Sequence, residues 1–290
     1  MSDLKAAAAA ATDQGSRNLL MRIAAALVLA PLAIAAVYAG GWFWIVPATV
    51  VAIGLCVEWL AVIGAEHERP VMLCGSSGLA IAGVLLGLGW IGVSWLALVL
   101  GLLAVVLLSR QARPWTAAGF CYAAAALMAA VLVRHDAAMG FVALLFVLGV
   151  VWATDIGGYF AGRGLGGPKL WPKVSPKKTW AGAIGGFAAS LAVAALFAIF
   201  DPHRGDAMLA LRTTPLLALA AVLSIAAQFG DLFESAVKRR FGVKDSSHLI
   251  PGHGGLMDRL DGFIAAIVLA AIVGLLHGGA DGIARGLMIW

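Results

Sequence analysis

The sequence predicts an all-α fold, a polytopic membrane helix bundle with about nine transmembrane helices and a cytoplasmic N-terminus. Hydrophobic residues make up 62% of the 290 residues, and only 12% are charged. The mean hydropathy of +0.97 lies far above that of soluble proteins. Most of such a chain has lipid as its solvent, and a helix in lipid satisfies its backbone hydrogen bonds internally.

The apolar residues fall into nine runs that approach the length of about 20 residues needed to cross a bilayer. These runs cover residues 19–39, 42–64, 71–89, 91–108, 115–133, 139–161, 180–200, 214–233 and 256–276. The first run is long and is followed by eight more, so we expect an uncleaved span rather than a signal peptide. All three cysteines lie inside apolar runs, which argues against a disulfide framework.

The positive charges predict the orientation of the bundle. The formal net charge is +5, but sixteen of the twenty Lys and Arg residues lie in the N-terminal segment and at the even-numbered connections between runs. This bias favours a cytoplasmic N-terminus and an external C-terminus, and it argues against a nucleic-acid partner. It also places the polar loops 162–179 and 234–257 in the cytoplasm.

We expect three regions along the chain. Residues 1–18 form an N-terminal cytoplasmic segment, and 19–133 form a transmembrane scaffold rich in Gly and Ala. Residues 134–290 form the catalytic transmembrane region, which carries both polar loops.

Residues 230–262 concentrate the polar groups of this apolar chain, with five of its fifteen acidic residues. If the preceding run continues as a helix to Arg239, then Asp231, Glu234, Ser235 and Lys238 lie on one helix face. Two further carboxylates then come three residues apart at the start of the last run, at positions 258 and 261. Carboxylates at two helix ends, with basic residues and glycines between them, predict a site for a hard divalent cation and the phosphates that it bridges.

The same stretch resembles the signature of the phosphatidate cytidylyltransferase (CDP-diacylglycerol synthase) family. The matching residues are Ser235, Val237, Lys238, Arg239, Lys244, Asp245, His253, Gly254, Gly255, Leu256, Asp258, Arg259, Leu260 and Asp261. The resemblance implies a nucleotidyltransferase that converts CTP and phosphatidic acid into CDP-diacylglycerol and pyrophosphate. It implies an integral protein of the bacterial inner membrane whose active site faces the cytoplasm.

Two upstream segments extend the resemblance. The sixth run ends in VWATDIGGYFAGR, where Asp155 lies inside the apolar run. Intramembrane acids usually face a cavity, so we favour a metal or phosphate role for Asp155 over a structural pair with Arg163. The family carries a similar segment here. In the next loop, SPKKTW also resembles a family segment, although Ala181 stands where members often have Glu or Gln.

The predicted site residues fall into three sets. The expected catalytic residues are Asp231, Asp258, Lys238, Arg259 and Ser235. The expected phosphate-binding residues are Ser175, Lys178, Thr179, Arg239, Lys244, His253, Gly254 and Gly255. The expected metal ligands are Asp231, Asp258, Asp261 and Asp155.

The expected cofactor is Mg²⁺, as one or two ions, because carboxylates dominate the cluster and Cys is absent from it. A role for a monovalent cation such as K⁺ is left open, as is a homodimer. The expected partners are CTP and, in the bilayer, phosphatidic acid.

Glu58 is a carboxylate within the second run, outside the segments that resemble the family. Such a group is costly at membrane depth and indicates a function by default. We nevertheless expect a structural role for it, paired with a polar group on another helix, in preference to catalysis.

Two other functions fit parts of the pattern. A cation-coupled transporter would also use intramembrane acids, but no inverted repeat is visible. A CTP-using lipid kinase of the polyprenol type would transfer the γ-phosphate and release CDP.

Overall fold

The predicted all-α membrane bundle is confirmed. The computed structural model describes residues 28–110, 112–200, 209–247, 254–279 and 282–290. Its helices are α1 (Val28–Ala39), α2 (Gly41–Val62), α3 (Arg69–Gly87), α4 (Ile91–Leu108), α5 (Arg113–His135), α6 (Gly140–Leu165), α7 (Trp180–Ile199), α8 (Leu209–Arg240), α9 (Met257–Gly278) and α10 (Ile283–Met288). Within the described residues, eight helices are long and apolar enough to cross a membrane, and α1 is a shorter apolar helix.

Several predictions fall on residues outside those ranges. The N-terminal segment 1–18 and part of the first predicted span, 19–27, lie there, as does His253. The side of the membrane on which each loop lies stays a prediction, and so does the division at residue 133.

The helix α8 extends beyond its predicted apolar run by about two turns, to Arg240. The polar residues after position 233 end the hydrophobic run but not the helix, because hydropathy reports the solvent around a helix and not its hydrogen bonding. As predicted, α8 therefore carries Asp231, Glu234, Ser235 and Lys238 on one helix.

The loop between α6 and α7 folds into a two-stranded hairpin. Its strands are β1 (Lys169–Trp171) and β2 (Ser175–Thr179), which pair antiparallel. The sequence predicts an extended loop here, and residues 169–171 and 175–179 of that loop are extended as strands. The last residue of β2 also caps α7, because the backbone N–H of Gly182 donates to Thr179 Oγ1 at 3.1 Å.

Two buried apolar clusters hold the bundle together. The first fills the space among α2, α3, α4 and α5 around Trp59 and Phe120. The second joins α6, α7, α8, α9 and α10 around Phe146 and Ile267. Helices α5, α8 and α9 contribute to both clusters. The polar ends of α6, α8 and α9 are thereby held at one end of a packed bundle.

Helices α6 and α7 approach each other through glycines. A Cβ on Gly157 would lie 2.6 Å from Ala189 Cβ and 2.9 Å from the carbonyl oxygen of Gly185. A Cβ on Gly186 would overlap the carbonyl oxygen of Thr154. Small residues permit this close approach, which is a common way for helices to pack in lipid.

Replacing Gly186 by Val is expected to destabilise the bundle by about 1–3 kcal/mol, because the new atoms meet backbone and force α6 and α7 apart. Thermal unfolding in detergent measures the loss. The matched control is Gly164→Val on α6, where no atom lies within 4 Å of an added Cβ. Equal unfolding temperatures for the two variants would contradict the close approach.

Candidate active site

A cavity of about 670 Å³ opens between α6, α7 and α8, next to the hairpin. Its wall is formed by Thr154, Asp155, Gly158, Tyr159, Gly162, Arg163, Leu170, Lys177, Lys178, Thr179, Gly182, Ala183, Gln228 and Asp231. Three cationic side chains and two carboxylates thus face one volume. A cavity of this size and charge suits a polyanionic ligand the size of a nucleotide.

Three carboxylates from separate helices lie near this cavity, and two of them, Asp155 and Asp231, line it. Asp155 on α6 interacts electrostatically with Asp231 on α8, and Asp261 on α9 interacts with both. Lys178 of the hairpin pairs with Asp231, with Nζ 2.5 Å from Oδ2. We call Asp155, Asp231 and Asp261 the acidic group. The sequence predicted that these three residues converge with Asp258 as metal ligands; the structure places the three near one another and holds Asp258 against Lys238.

A second set of charges is buried one helical turn beyond Asp231. The ammonium group of Lys238 contacts Glu234 Oε2 at 2.8 Å and also contacts Asp258 Oδ1. Lys238 is 8% exposed and Glu234 2% exposed, so little water reaches this contact. We call Glu234, Lys238 and Asp258 the buried ion cluster. In this structure the ammonium group of Lys238 is therefore paired with two carboxylates, and the catalytic role that the sequence predicted for it stays a prediction.

Asp258 accepts hydrogen bonds on both of its oxygens. Its Oδ1 contacts Lys238, and its Oδ2 accepts from the backbone N–H groups of Ser246 and Gly255, each at 3.0 Å. The metal role of Asp258 stays a prediction, and in this arrangement Lys238 and the two amides occupy the positions that an ion would take.

Position 255 has no room for a side chain. An added Cβ would overlap Ser246 Oγ and would come 2.8 Å from Glu58 Oε2. The loop after α8 therefore packs directly onto the backbone at the start of α9.

The remaining predicted residues lie around these two sets. Ser235 Oγ donates to Asp231 Oδ1 at 3.5 Å. The side chain of Thr179 lines the cavity while it caps α7. Arg239 is exposed and donates to the carbonyl oxygen of Val243 at 3.2 Å. Lys244 is also exposed, in the loop after α8.

Four further predicted residues complete the set. Ser175 begins β2 and is half-buried, while Arg259 is exposed in the first turn of α9. Gly254 has φ +80°, which favours glycine, and its added Cβ would lie 3.3 Å from Asp258 Oδ2. His253 lies outside the described residues, so its predicted phosphate role stays a prediction.

Sequence reasoning missed several polar residues of the site. Gln228 lies three residues before Asp231 on α8, lines the cavity, and donates to the carbonyl oxygen of Ala183 at 3.3 Å. Helical spacing from Asp231 was the signal that could have identified it. Thr154 and Lys177, which directly precede Asp155 and Lys178, also line the cavity.

Among the residues that the structure describes, one buried oxygen of the site lacks a hydrogen-bond partner. This atom is Glu234 Oε1, next to the Oε2 that contacts Lys238. An unpaired carboxylate oxygen away from water is costly, and a cation is the partner that would offset that cost. In the part of the chain that the structure describes, however, no three His, Cys, Asp or Glu side chains are already placed to hold a metal ion.

Comparison with known proteins identifies the family. A model of the cytidylyltransferase family matches residues 20–277. The chain is 38% identical over 266 residues to a phosphatidate cytidylyltransferase of Brucella suis biovar 1 (strain 1330), covering 91% of this chain and 96% of the relative. The chain belongs to the cytidylyltransferase family.

Two other bacteria have similar proteins with the same name. The protein of Haemophilus influenzae is 46% identical over 135 residues, which cover 46% of each chain. That of Bacillus subtilis (strain 168) is 41% identical over 132 residues, covering 46% of this chain and 47% of the relative. The resemblance seen in the signature residues is therefore confirmed at the level of the family, and this family member is a nucleotidyltransferase.

Proposed function

We propose that this cytidylyltransferase converts CTP and phosphatidic acid into CDP-diacylglycerol and pyrophosphate. The observation that carries the proposal is the junction of a charged cavity with an apolar groove. The groove, of about 440 Å³, lies between α7 and α8 and is lined by Leu170, Trp171, Trp180, Ala183, Ile184, Phe187, Ile225, Gln228, Phe229 and Leu232.

The groove and the cavity share three wall residues, Leu170, Ala183 and Gln228. Other residues of the groove, such as Ile184 and Phe229, are exposed on the outer surface of the bundle, where lipid surrounds the helices. A phospholipid can therefore place its phosphate beside the nucleotide while an acyl chain stays in an apolar environment. A soluble substrate would need no such groove.

The difficulty in this reaction is charge, because an anionic lipid phosphate has to approach a triphosphate. Repulsion between unit charges at 4 Å is about 4 kcal/mol at the effective dielectric constant of a protein surface. Lys177, Lys178 and Arg163 line the cavity and lower this repulsion by contacting phosphate oxygens. The lipid phosphate is already ionised at neutral pH, so the nucleophile needs no strong general base.

The carboxylates of the site have the chemistry of Mg²⁺ ligands, and binding the ion would draw them closer together than they lie in the part of the chain that the structure describes. The acidic group and the buried ion cluster hold five carboxylates, and their described ion pairs involve two ammonium groups, Lys178 and Lys238. Asp155, Asp231 and Asp261 would hold the ion, and Glu234 Oε1 is an unpaired oxygen nearby. When bound, Mg²⁺ stabilises the charge on the phosphates and on the departing pyrophosphate.

Ser235 orders the site in this proposal and does not attack the nucleotide. Its only described polar contact is the 3.5 Å hydrogen bond to Asp231, whose carboxylate is paired with Lys178. A serine nucleophile needs a base within closer hydrogen-bond reach.

Product analysis tests the proposal. Purified protein in detergent is incubated with phosphatidic acid and with CTP labelled at either the α- or the γ-phosphate, with and without a chelator. We expect α-label in the lipid, γ-label in pyrophosphate, and loss of both products with the chelator. Transfer of γ-label to lipid with release of CDP would instead identify a lipid kinase. Absence of any product, together with a gradient-coupled flux in vesicles, would identify a transporter.

A further inference from the structure

Glu58 of α2 is a buried carboxylate that contacts the signature segment from the opposite half of the chain. It is 1% exposed. Its Oε1 accepts from Ser247 Oγ at 2.5 Å and from the backbone N–H of Leu256 at 2.7 Å. Its Oε2 accepts from the backbone N–H of Met257 at 2.7 Å and lies 3.0 Å from Ser246 Oγ. The expected pairing of Glu58 with polar groups of another helix is therefore observed, since two of its partners are backbone N–H groups at the start of α9.

These contacts explain how the Glu58 carboxylate is tolerated inside the apolar helix α2. Leu256 and Met257 lie at the N-terminus of α9. The first backbone N–H groups of a helix have no partners within the helix, and this end of a helix carries a partial positive charge. Glu58 satisfies two of those donors with charge-assisted hydrogen bonds, which are stronger than neutral ones.

The same contacts determine where Asp258 lies. Asp258 Oδ2 is held by the amides of Ser246 and Gly255, which are neighbours of the residues that Glu58 binds. Ser246 Oγ lies 3.0 Å from Asp258 Oδ2 and equally far from Glu58 Oε2. Since Asp258 contacts Lys238, a displacement of this backbone would also displace the buried ion cluster.

We infer that Glu58 is a positioning residue for the reaction: it fastens residues 246–247 to the start of α9 and so sets the orientation of Asp258 and Lys238. It touches no substrate in this scheme. The inference rests on the proposed function for its kinetic consequence only, because the anchoring itself can be measured without substrates.

The test compares Glu58→Gln with Glu66→Gln, the same chemical change at an exposed side chain eight residues further along the chain. The amide introduced by Glu58→Gln keeps the shape of the carboxylate but replaces one acceptor oxygen by a donor. We expect kcat to fall by about 100-fold, as a misplacement of about 1 Å can produce. The KM for CTP should change little, because the cavity wall is unaffected. Glu66→Gln should match the wild type.

Hydrogen exchange of the substrate-free protein in detergent separates anchoring from catalysis. Exchange at Leu256 and Met257 should become about tenfold faster or more in Glu58→Gln, because each loses a charge-assisted hydrogen bond. If the wild type makes no CDP-lipid but this exchange increases, the anchoring holds and only the proposed function fails.

A gentler variant keeps the inference testable if Glu58→Gln does not fold. Ser247→Ala removes one donor to Glu58 outside any helix, and it should lower kcat by less than Glu58→Gln does while leaving the unfolding temperature near that of the wild type. In the double variant the two effects should not multiply, because both act through the same contact. Wild-type kcat in Glu58→Gln, unchanged exchange at residues 256–257, or fully multiplicative effects would overturn the inference.

Discussion

Asp231→Asn is expected to lower kcat by about 10³-fold or more, the largest loss that we expect from a single side chain of this site. Asp231 belongs both to the cavity wall and to the acidic group. It lines the cavity, pairs with Lys178 and interacts with both other members of the acidic group. Neutralising it removes charge that would hold the cation and frees Lys178 from the position in which it faces the phosphates. The measurement is the rate of CDP-lipid formation in mixed micelles.

The matched control is Asp136→Asn, which breaks a comparable ion pair at the C-terminal end of α5. There Arg285 Nε lies 2.9 Å from Asp136 Oδ2, away from the cavity wall. This control variant should lose some stability but keep its kcat. Turnover by Asp231→Asn within about threefold of the wild type, a difference of less than about 1 kcal/mol in the barrier, would remove Asp231 from the mechanism.

Lys238→Met is expected to destabilise the protein by about 3–5 kcal/mol, because it leaves the buried Glu234 and the half-buried Asp258 without their cation. The loss should appear as a lower unfolding temperature in detergent. Activity should also fall sharply, since Asp258 loses the contact to its Oδ1.

The double variant Glu234→Gln/Lys238→Met distinguishes an unpaired charge from lost packing. It removes the more deeply buried carboxylate together with its cation, while Asp258 keeps its hydrogen bonds from Ser246 and Gly255. We expect it to recover a large part of the stability that Lys238→Met loses. If the double variant is as unstable as the single one, the charge of Lys238 is not what stabilises the cluster.

Local rules identified the four carboxylates that the sequence predicted as metal ligands, of which three form the acidic group while Asp258 contacts Lys238. An intramembrane acid usually faces a cavity, which indicated Asp155, and residues one helical turn apart share a face, which ordered α8. The charge distribution indicated that loops 162–179 and 234–257 belong to one side. These rules predicted the carboxylates at one end of the bundle, but the division between the acidic group and the buried ion cluster depends on how α8 and α9 pack.

The partners of Glu58 and Lys238 could not be predicted in this way. Glu58 binds groups 188 to 199 residues further along the chain, and its connection to α9 depends on how α2 packs in the bundle. Lys238 resembled a phosphate ligand because the signature motif contains it. Its neighbour Glu234, one turn away, and Asp258 on α9 instead pair with it. Long-range contacts of this kind carry no periodic signal in a sequence.

Metal retention tests the central claim most directly, namely that carboxylates from α6, α8 and α9 together hold a divalent cation beside the nucleotide. Mn²⁺ replaces Mg²⁺, and the detergent-solubilised protein is ultrafiltered with CTP before the retained Mn²⁺ is counted by electron paramagnetic resonance. The account predicts about one or two ions per chain for the wild type and for Glu66→Gln, and a large loss for Asp231→Asn. Equal retention of Mn²⁺ by Asp231→Asn and by the wild type would contradict it.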